Sequence, residues 1–200
     1  MSDLRVITFD PSIDKMGIVV LDFTYSPFKV VEVYRSTTNG AKLERLRKYM
    51  LDRFSKSYCK LDALEEIIDN LFEEYKPDEA ATESAFSYNR PAVVISLTYV
   101  IGLLRRKVHK FLDKDIHTVA PVQTKRAVTG NKDASKDQMR EWYDKCDYIV
   151  KLPGTASEHE IDATAHGITY VLRDVLKTYV PELTAKEKKK LKKLKVLEKG

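Results

Sequence analysis

Val6-Ile7-Thr8-Phe9-Asp10-Pro11-Ser12-Ile13-Asp14-Lys15-Met16-Gly17-Ile18-Val19-Val20-Leu21 is the stretch whose reading decides the fold. Aromatic and β-branched residues fill both arms, and Pro11, Asp14 and Gly17 supply turn chemistry between them. The pattern predicts a buried strand, a tight polar turn and a second buried strand coming straight back. Asp10 stands where the first apolar run ends. A carboxylate at an interior strand position is costly to desolvate without a partner. A metal ion or a phosphate-handling site would offset that cost. An Asx cap on the turn is the plainer role.

Outward from the hairpin, Lys29 to Tyr34 reads as a third strand, which makes an antiparallel meander. Ser36 to Lys42, with Asn39-Gly40, reads as a loop, and the basic segment Leu43 to Ser57 as helical. Leu61, Leu64, Ile67, Ile68, Leu71, Phe72 and Tyr75 recur at three- and four-residue steps and give one apolar helix face. Lys76-Pro77-Asp78 stops that helix, and the short strand Glu79 to Thr82 delivers a second carboxylate, Glu83, at its end. A long helix, apolar nearly all round, runs from Pro91 to about Phe111. Such girth needs more than one packing partner, either a second chain or a sheet covered by helices.

Ile116 to Val119 is a further strand after a helix, so a parallel β-α-β unit is expected. A short helix from Pro121 to Thr129 and a loop at Gly130 to Asp133 follow, then a helix capped by Ser135 through roughly Tyr143. Pro153-Gly154 turns the chain into a last helix from Glu158 to about Lys177. One domain over residues 1–180 and a Lys-rich tail over 181–200 are expected.

The composition sets outer limits. Charged residues make up 32% of the 200 and hydrophobic ones 43%, as in a globular protein. No apolar run approaches a membrane span, and the first residues lack a signal-peptide layout. Two cysteines, Cys59 and Cys146, exclude a disulfide framework and a cysteine zinc site. A net charge of +5 points weakly to a polyanionic partner, because part of it sits in the tail.

Three acids fall at element ends: Asp10 and Glu83 at strand ends, Asp162 in the first turn of the last helix, with His159 three residues before it on the same face. Carboxylates in near contact repel unless cations hold them. Oxygen-rich sites suit Mg²⁺ or Mn²⁺, and two such ions support in-line phosphoryl transfer. Each residue also has an ordinary role: Asp162 beside the helix dipole, Glu83 in a surface loop, His159 in a solvated first turn.

With these residues in view, the chain resembles the RuvC family of Holliday-junction resolvases on the RNase H-like fold. The resemblance runs, with gaps, from Ile7 to about Val171. It rests on Phe9-Asp10-Pro11-Ser12 with Gly17-Ile18, and on Lys76-Pro77-Asp78 through Thr82-Glu83-Ser84-Ala85-Phe86. It rests also on Pro121 to Gly130 with Ala134-Ser135-Lys136-Asp137-Gln138, and on His159-Glu160-Ile161-Asp162-Ala163. It implies an α/β fold with a mixed central sheet, an antiparallel three-strand meander plus parallel strands, flanked by helices. It implies catalytic and metal-ligand roles for Asp10, Glu83, His159 and Asp162. His159 stands where the commoner pattern has Asp, which bears on metal preference; it acts as a ligand or as a general base. Phe86 would stack at the junction centre, and Lys125, Arg126, Lys132 and Lys136 would contact phosphates.

The implied activity is metal-dependent hydrolysis, with Mg²⁺ or Mn²⁺ and two ions per site, by a homodimer formed through the helix after Pro91. Paired symmetric nicks in four-way DNA junctions would leave 5′-phosphate and 3′-hydroxyl ends in a bacterial or phage-infected cytoplasm. The alternatives are a broader flap or fork nuclease and a non-catalytic junction-binding module. An actin-like phosphotransferase lacks support, since the chain has no glycine-rich phosphate loops.

Overall fold

The opening stretch folds as its residues dictate: β1 (Leu4–Asp10) pairs antiparallel with β2 (Gly17–Tyr25), from Leu4 opposite Phe23 to Asp10 opposite Gly17. The computed structural model describes residues 2–84 and 91–178. β3 (Phe28–Thr37) returns antiparallel along β2. β4 (Glu79–Glu83) lies parallel on β1, and β5 (His117–Val119) parallel on β4. At the far edge the two-residue β6 (Ile149–Val150) lies parallel on β3, giving the order β5-β4-β1-β2-β3-β6. The mixed sheet read from the sequence is present, with β6 as an unforeseen sixth strand.

Strand alternation sorts the sheet residues into two cores. Ile7, Phe9, Ile18, Val20 and Ala80 face α2 (Lys56–Tyr75) and α3 (Pro91–Leu112), where Leu64, Ile68, Phe72 and Leu104 fill the layer. Val6, Val19, Leu21 and Ala81 face the other way, toward α6 (Glu158–Tyr170), with Ile161, Ala165 and Ile168 beneath them. α4 (Pro121–Thr129) and α5 (Lys136–Lys145) complete that second layer. Among the described residues no helix is long and apolar enough to cross a membrane.

Two expectations need correction. Residues 36–42 are not one loop: β3 runs on to Thr37, and α1 (Gly40–Leu46) begins at Gly40. The Asn39 side chain accepts from the Ala41 and Lys42 N–H groups, so a residue pair that reads as a turn is a helix cap. Nor is Leu43 to Ser57 one helix. The chain breaks after Leu46 through a 3-10 turn (Lys48–Met50), and Ser55 caps α2 by accepting from Tyr58 N. Arg47 fixes the break, pairing with Asp62 at 2.5 Å and with Glu66 on α2. The last helix runs about as far as expected, α6 continuing through Val171–Val175 as a π-helical stretch.

Candidate active site

Two carboxylates meet because of alternation and register. Thr8 and Asp10 share the β1 face that Val6 presents to α6, and Glu83 shares the β4 face of Ala81. β1 and β4 pair Thr8 with Ala81 and Phe9 with Thr82. One step further, Asp10 and Glu83 end their strands side by side under the helix.

α6 brings the other half of the site. Ser157 and Glu160 cap it reciprocally: Glu160 N donates to Ser157 Oγ at 3.2 Å, and Ser157 N donates to Glu160 Oε2 at 2.8 Å. The helix lies hard against the sheet, and only glycine fits where they touch. A Cβ on Gly17 would sit 2.1 Å from the His159 carbonyl oxygen, and one on Gly167 would sit 2.5 Å from Thr8 Cγ2. This approach carries His159 to Asp10, with His159 Nδ1 2.6 Å from Asp10 Oδ2, where the ring N–H donates to the carboxylate. Asp162, one turn on, faces the same charges.

A buried polar network holds the start of α6 in place. The Glu32 carboxylate on β3 accepts from Tyr143 Oη at 2.6 Å, from Arg35 Nη1 at 2.9 Å and from Leu152 N at 3.0 Å. Arg35 also pairs with Glu160 at 3.4 Å and donates to the Gly154 carbonyl at 2.9 Å. Thr37 Oγ1 donates to Glu160 Oε1 at 3.0 Å. β3, α5 and the turn at 152–154 are thus tied to the start of the helix that bears His159 and Asp162.

One residue of the site was missed by sequence reasoning. His166 Nε2 lies 3.9 Å from Glu83 Oε2, and ligand atoms of Asp10, Glu83 and His166 all lie within 4.8 Å of one another. His159, Asp162 and His166 stand at i, i+3 and i+7, one stripe of the helix, and that spacing is the signal that could have found it.

The electrostatics describe a pocket that lacks positive charge. Burial first, then the charges of Asp10 and Asp162, push the Glu83 carboxyl up to about 8. Burial and Asp10 push Asp162 up to about 6. The hydrogen bond to Asp10 raises His159, and burial pulls His166 down to about 4. Oxygen donors held against their own repulsion, with a neutral imidazole beside them, fit a divalent cation.

These shifts carry a sign for the metal-free protein. Folded Glu83 keeps its proton to about pH 8, whereas its ordinary value is 4.5, and folded His159 keeps its proton above the ordinary 6.5. Between pH 6.5 and 8 the folded chain therefore binds more protons than the unfolded one, and stability falls as pH rises. His166 acts with the opposite sign, but only between about 4 and 6.5. Melting of EDTA-treated protein should show a lower Tm at pH 8 than at pH 6.5, and Mn²⁺ should raise Tm more at pH 8. A Tm that climbs over that window would contradict this.

The basic residues flank the pocket unevenly. Lys125 on α4 is near enough to pull both Glu83 and Asp162 downward. Lys136, at the first turn of α5, is exposed and pairs with Glu158 at the start of α6. Lys132 is half-exposed beside Asp133, and Arg126 is partly buried on α4. Phe86 and the tail from 181 lie outside the described residues.

The family model described as crossover junction endodeoxyribonuclease RuvC matches residues 6–170. Crossover junction endodeoxyribonuclease RuvC of Rickettsia bellii is 27% identical over 171 residues, covering 82% of this chain and 94% of that protein. The same-named protein of Alkaliphilus metalliredigens is 27% identical over 140 residues, covering 68% and 74%. Thermus thermophilus RuvC, solved in complex with a Holliday junction substrate, has the same fold, with a TM-score of 0.70 at 15% identity over 88% of this chain and 97% of that one.

Proposed function

The chain belongs to the RuvC family of crossover junction endodeoxyribonucleases, and on that premise we propose that Asp10, Glu83, His159 and Asp162 are its active site. The observation that carries this reading is the meeting of Asp10, Glu83 and the His159–Asp162 turn of α6 under one helix, with acids left short of positive charge. The reaction is hydrolysis of a phosphodiester in each of two strands at a four-way junction, leaving 5′-phosphate and 3′-hydroxyl ends. Asp10, Glu83 and Asp162 would hold Mg²⁺ or Mn²⁺, two ions in the full site, which supply the positive charge that the phosphate needs as it reacts.

The protein's own groups orient and move protons. Asp10 Oδ2 accepts from His159 Nδ1, which leaves its second oxygen for a cation and fixes the imidazole ring. In that tautomer His159 Nε2 has its lone pair free, either to take a proton from the attacking water or to bind the cation. Lys125, Arg126, Lys132 and Lys136 would hold the backbone phosphates, with Phe86 at the junction centre.

Two such sites would cut symmetrically in a homodimer formed through α3. Support comes from the exposed Val93, Ile95 and Tyr99 on that helix, and from the groove that Tyr58, Leu61, Thr98 and Leu103 line between α2 and α3. Residues 1–180 would form the nuclease domain. The tail over 181–200 would add sequence-independent DNA affinity, and the work would be done in a bacterial or phage-infected cytoplasm.

The test is cleavage of a labelled mobile four-way junction beside a linear duplex and a flap, with Mg²⁺, Mn²⁺ or EDTA. Cutting of the junction alone, abolished by EDTA, is expected. Equal cutting of the flap would make the protein a general branched-DNA nuclease, and tight binding without cutting in either metal would make it a junction-binding module.

A further inference from the structure

We infer that His166 is a direct ligand of the cation at this site: its Nε2 binds the divalent ion that Asp10 and Glu83 hold, and it shifts the site from Mg²⁺ toward transition-metal ions. The inference rests on the metal-nuclease reading above and adds a residue that the four-residue motif set does not contain.

The ring is fixed and faces the site. His166 is 3% exposed, and its neighbour Gly167 presses the α6 backbone against Thr8 and Leu21, so the imidazole has little freedom to turn away. Its Nδ1 lies 3.0 Å from Thr124 Oγ1 on α4. With Nδ1–H donated to that hydroxyl, the lone pair of Nε2 faces the carboxylates. Metal-bound histidines usually hold their second ring nitrogen in this way.

Nε2 itself has no hydrogen-bond partner among the described residues. A buried, unpartnered ring nitrogen is uncommon and calls for a missing group. Glu83 does not fill that need, because 3.9 Å is too long for a hydrogen bond. The spacing does suit a shared ion. Two ligands each about 2.1 Å from one cation lie up to about 4.2 Å apart. The three donor atoms, all within 4.8 Å of one another, need shifts of well under an ångström to meet it.

An imidazole donor changes which ion is held. Mg²⁺ prefers oxygen ligands and retains its waters, whereas nitrogen donors favour transition ions, Co²⁺ more than Mn²⁺. Removing His166 should therefore weaken Co²⁺ most, Mn²⁺ less and Mg²⁺ little. The chain has four histidines, and the other two sit elsewhere: His109 beside Asp113 on α3, and His117 against Glu79 and Tyr170. Nitrogen coupling to a bound ion thus reports only on His159 and His166.

The experiment uses the full chain, freed of metal and reloaded with Mn²⁺, and reads ¹⁴N coupling by pulsed electron paramagnetic resonance. His159→Ala should retain the coupling, and His159→Ala/His166→Leu should lose it. In parallel, His166→Leu and His166→Gln should bind Co²⁺ at least about tenfold more weakly, with Mg²⁺ changed less than about threefold. Absence of ¹⁴N coupling in His159→Ala overturns the inference, and this arm needs no His166 variant to fold. An equal loss for all three ions overturns it too, as a structural effect. If Asp10→Asn leaves Mn²⁺ affinity unchanged, the metal-centre reading fails with it. If Asp10→Asn abolishes Mn²⁺ binding while the His166 variants keep normal ion preference, only the His166 assignment falls.

Discussion

Asp10→Asn should lower junction cleavage by about a thousandfold or more while junction binding persists. The substitution keeps shape: an amide oxygen can still accept from His159 Nδ1, so α6 stays docked. What goes is a negative charge at the point where β1, β4 and α6 converge. Loss of one electrostatic stabiliser of a transition state costs about a hundred- to a thousandfold, and here the same change also removes a metal ligand. Glu83 then has one fewer like-charged neighbour to raise it. Metal-free Asp10→Asn should consequently melt no lower than metal-free wild type at pH 8, which separates an active-site loss from misfolding. Cleavage within tenfold of wild type would sink the assignment of Asp10.

Glu32→Ala should produce the largest loss of stability. The Glu32 side chain is fully buried, and the Arg35 side chain beside it is 6% exposed. Truncation takes one of two carboxylates, Glu32 and Glu160, from a buried guanidinium, and strips an acceptor from Tyr143 Oη and the Leu152 N–H. Breaking a buried pair from one side costs about 3–5 kcal/mol. For a chain of this length that corresponds to a fall in Tm of roughly 6–20 °C. Glu32→Gln retains acceptor geometry and should lose less. Because Arg35 also holds Glu160 in the α6 cap, Glu32→Ala should slow cleavage even below its Tm. A melting change under 2 °C, measured by calorimetry, would show that the network does not brace the fold.

The parts of the fold legible in the sequence are those set by local pattern. The Val6–Leu21 hairpin, the α2 stripe and the Ser135 cap are written within a few residues of one another. Asp10 and Glu83 were legible for the same reason, since each ends an apolar strand whose alternation sends it to the α6 face. The Glu32–Arg35–Tyr143 cluster was not legible, because Tyr143 lies more than a hundred residues from the other two and tertiary packing alone brings it to them. β6 has two residues, too few to show a period. His166 was hidden differently: in the middle of a helix it reads as core unless its spacing from His159 and Asp162 is weighed, and the proximity of Glu83 and Thr124 marks it as part of the site. Asn39-Gly40 misled because the same residues that favour turns also cap helices.

The central claim is tested most directly by mapping the cuts on a four-way junction labelled in turn on each strand, with Mn²⁺ present. The expected products are two nicks at symmetry-related positions in opposed strands, with 5′-phosphate and 3′-hydroxyl ends, absent with EDTA. Nicks at unrelated positions on all four strands, or cutting that persists in EDTA, would contradict the account.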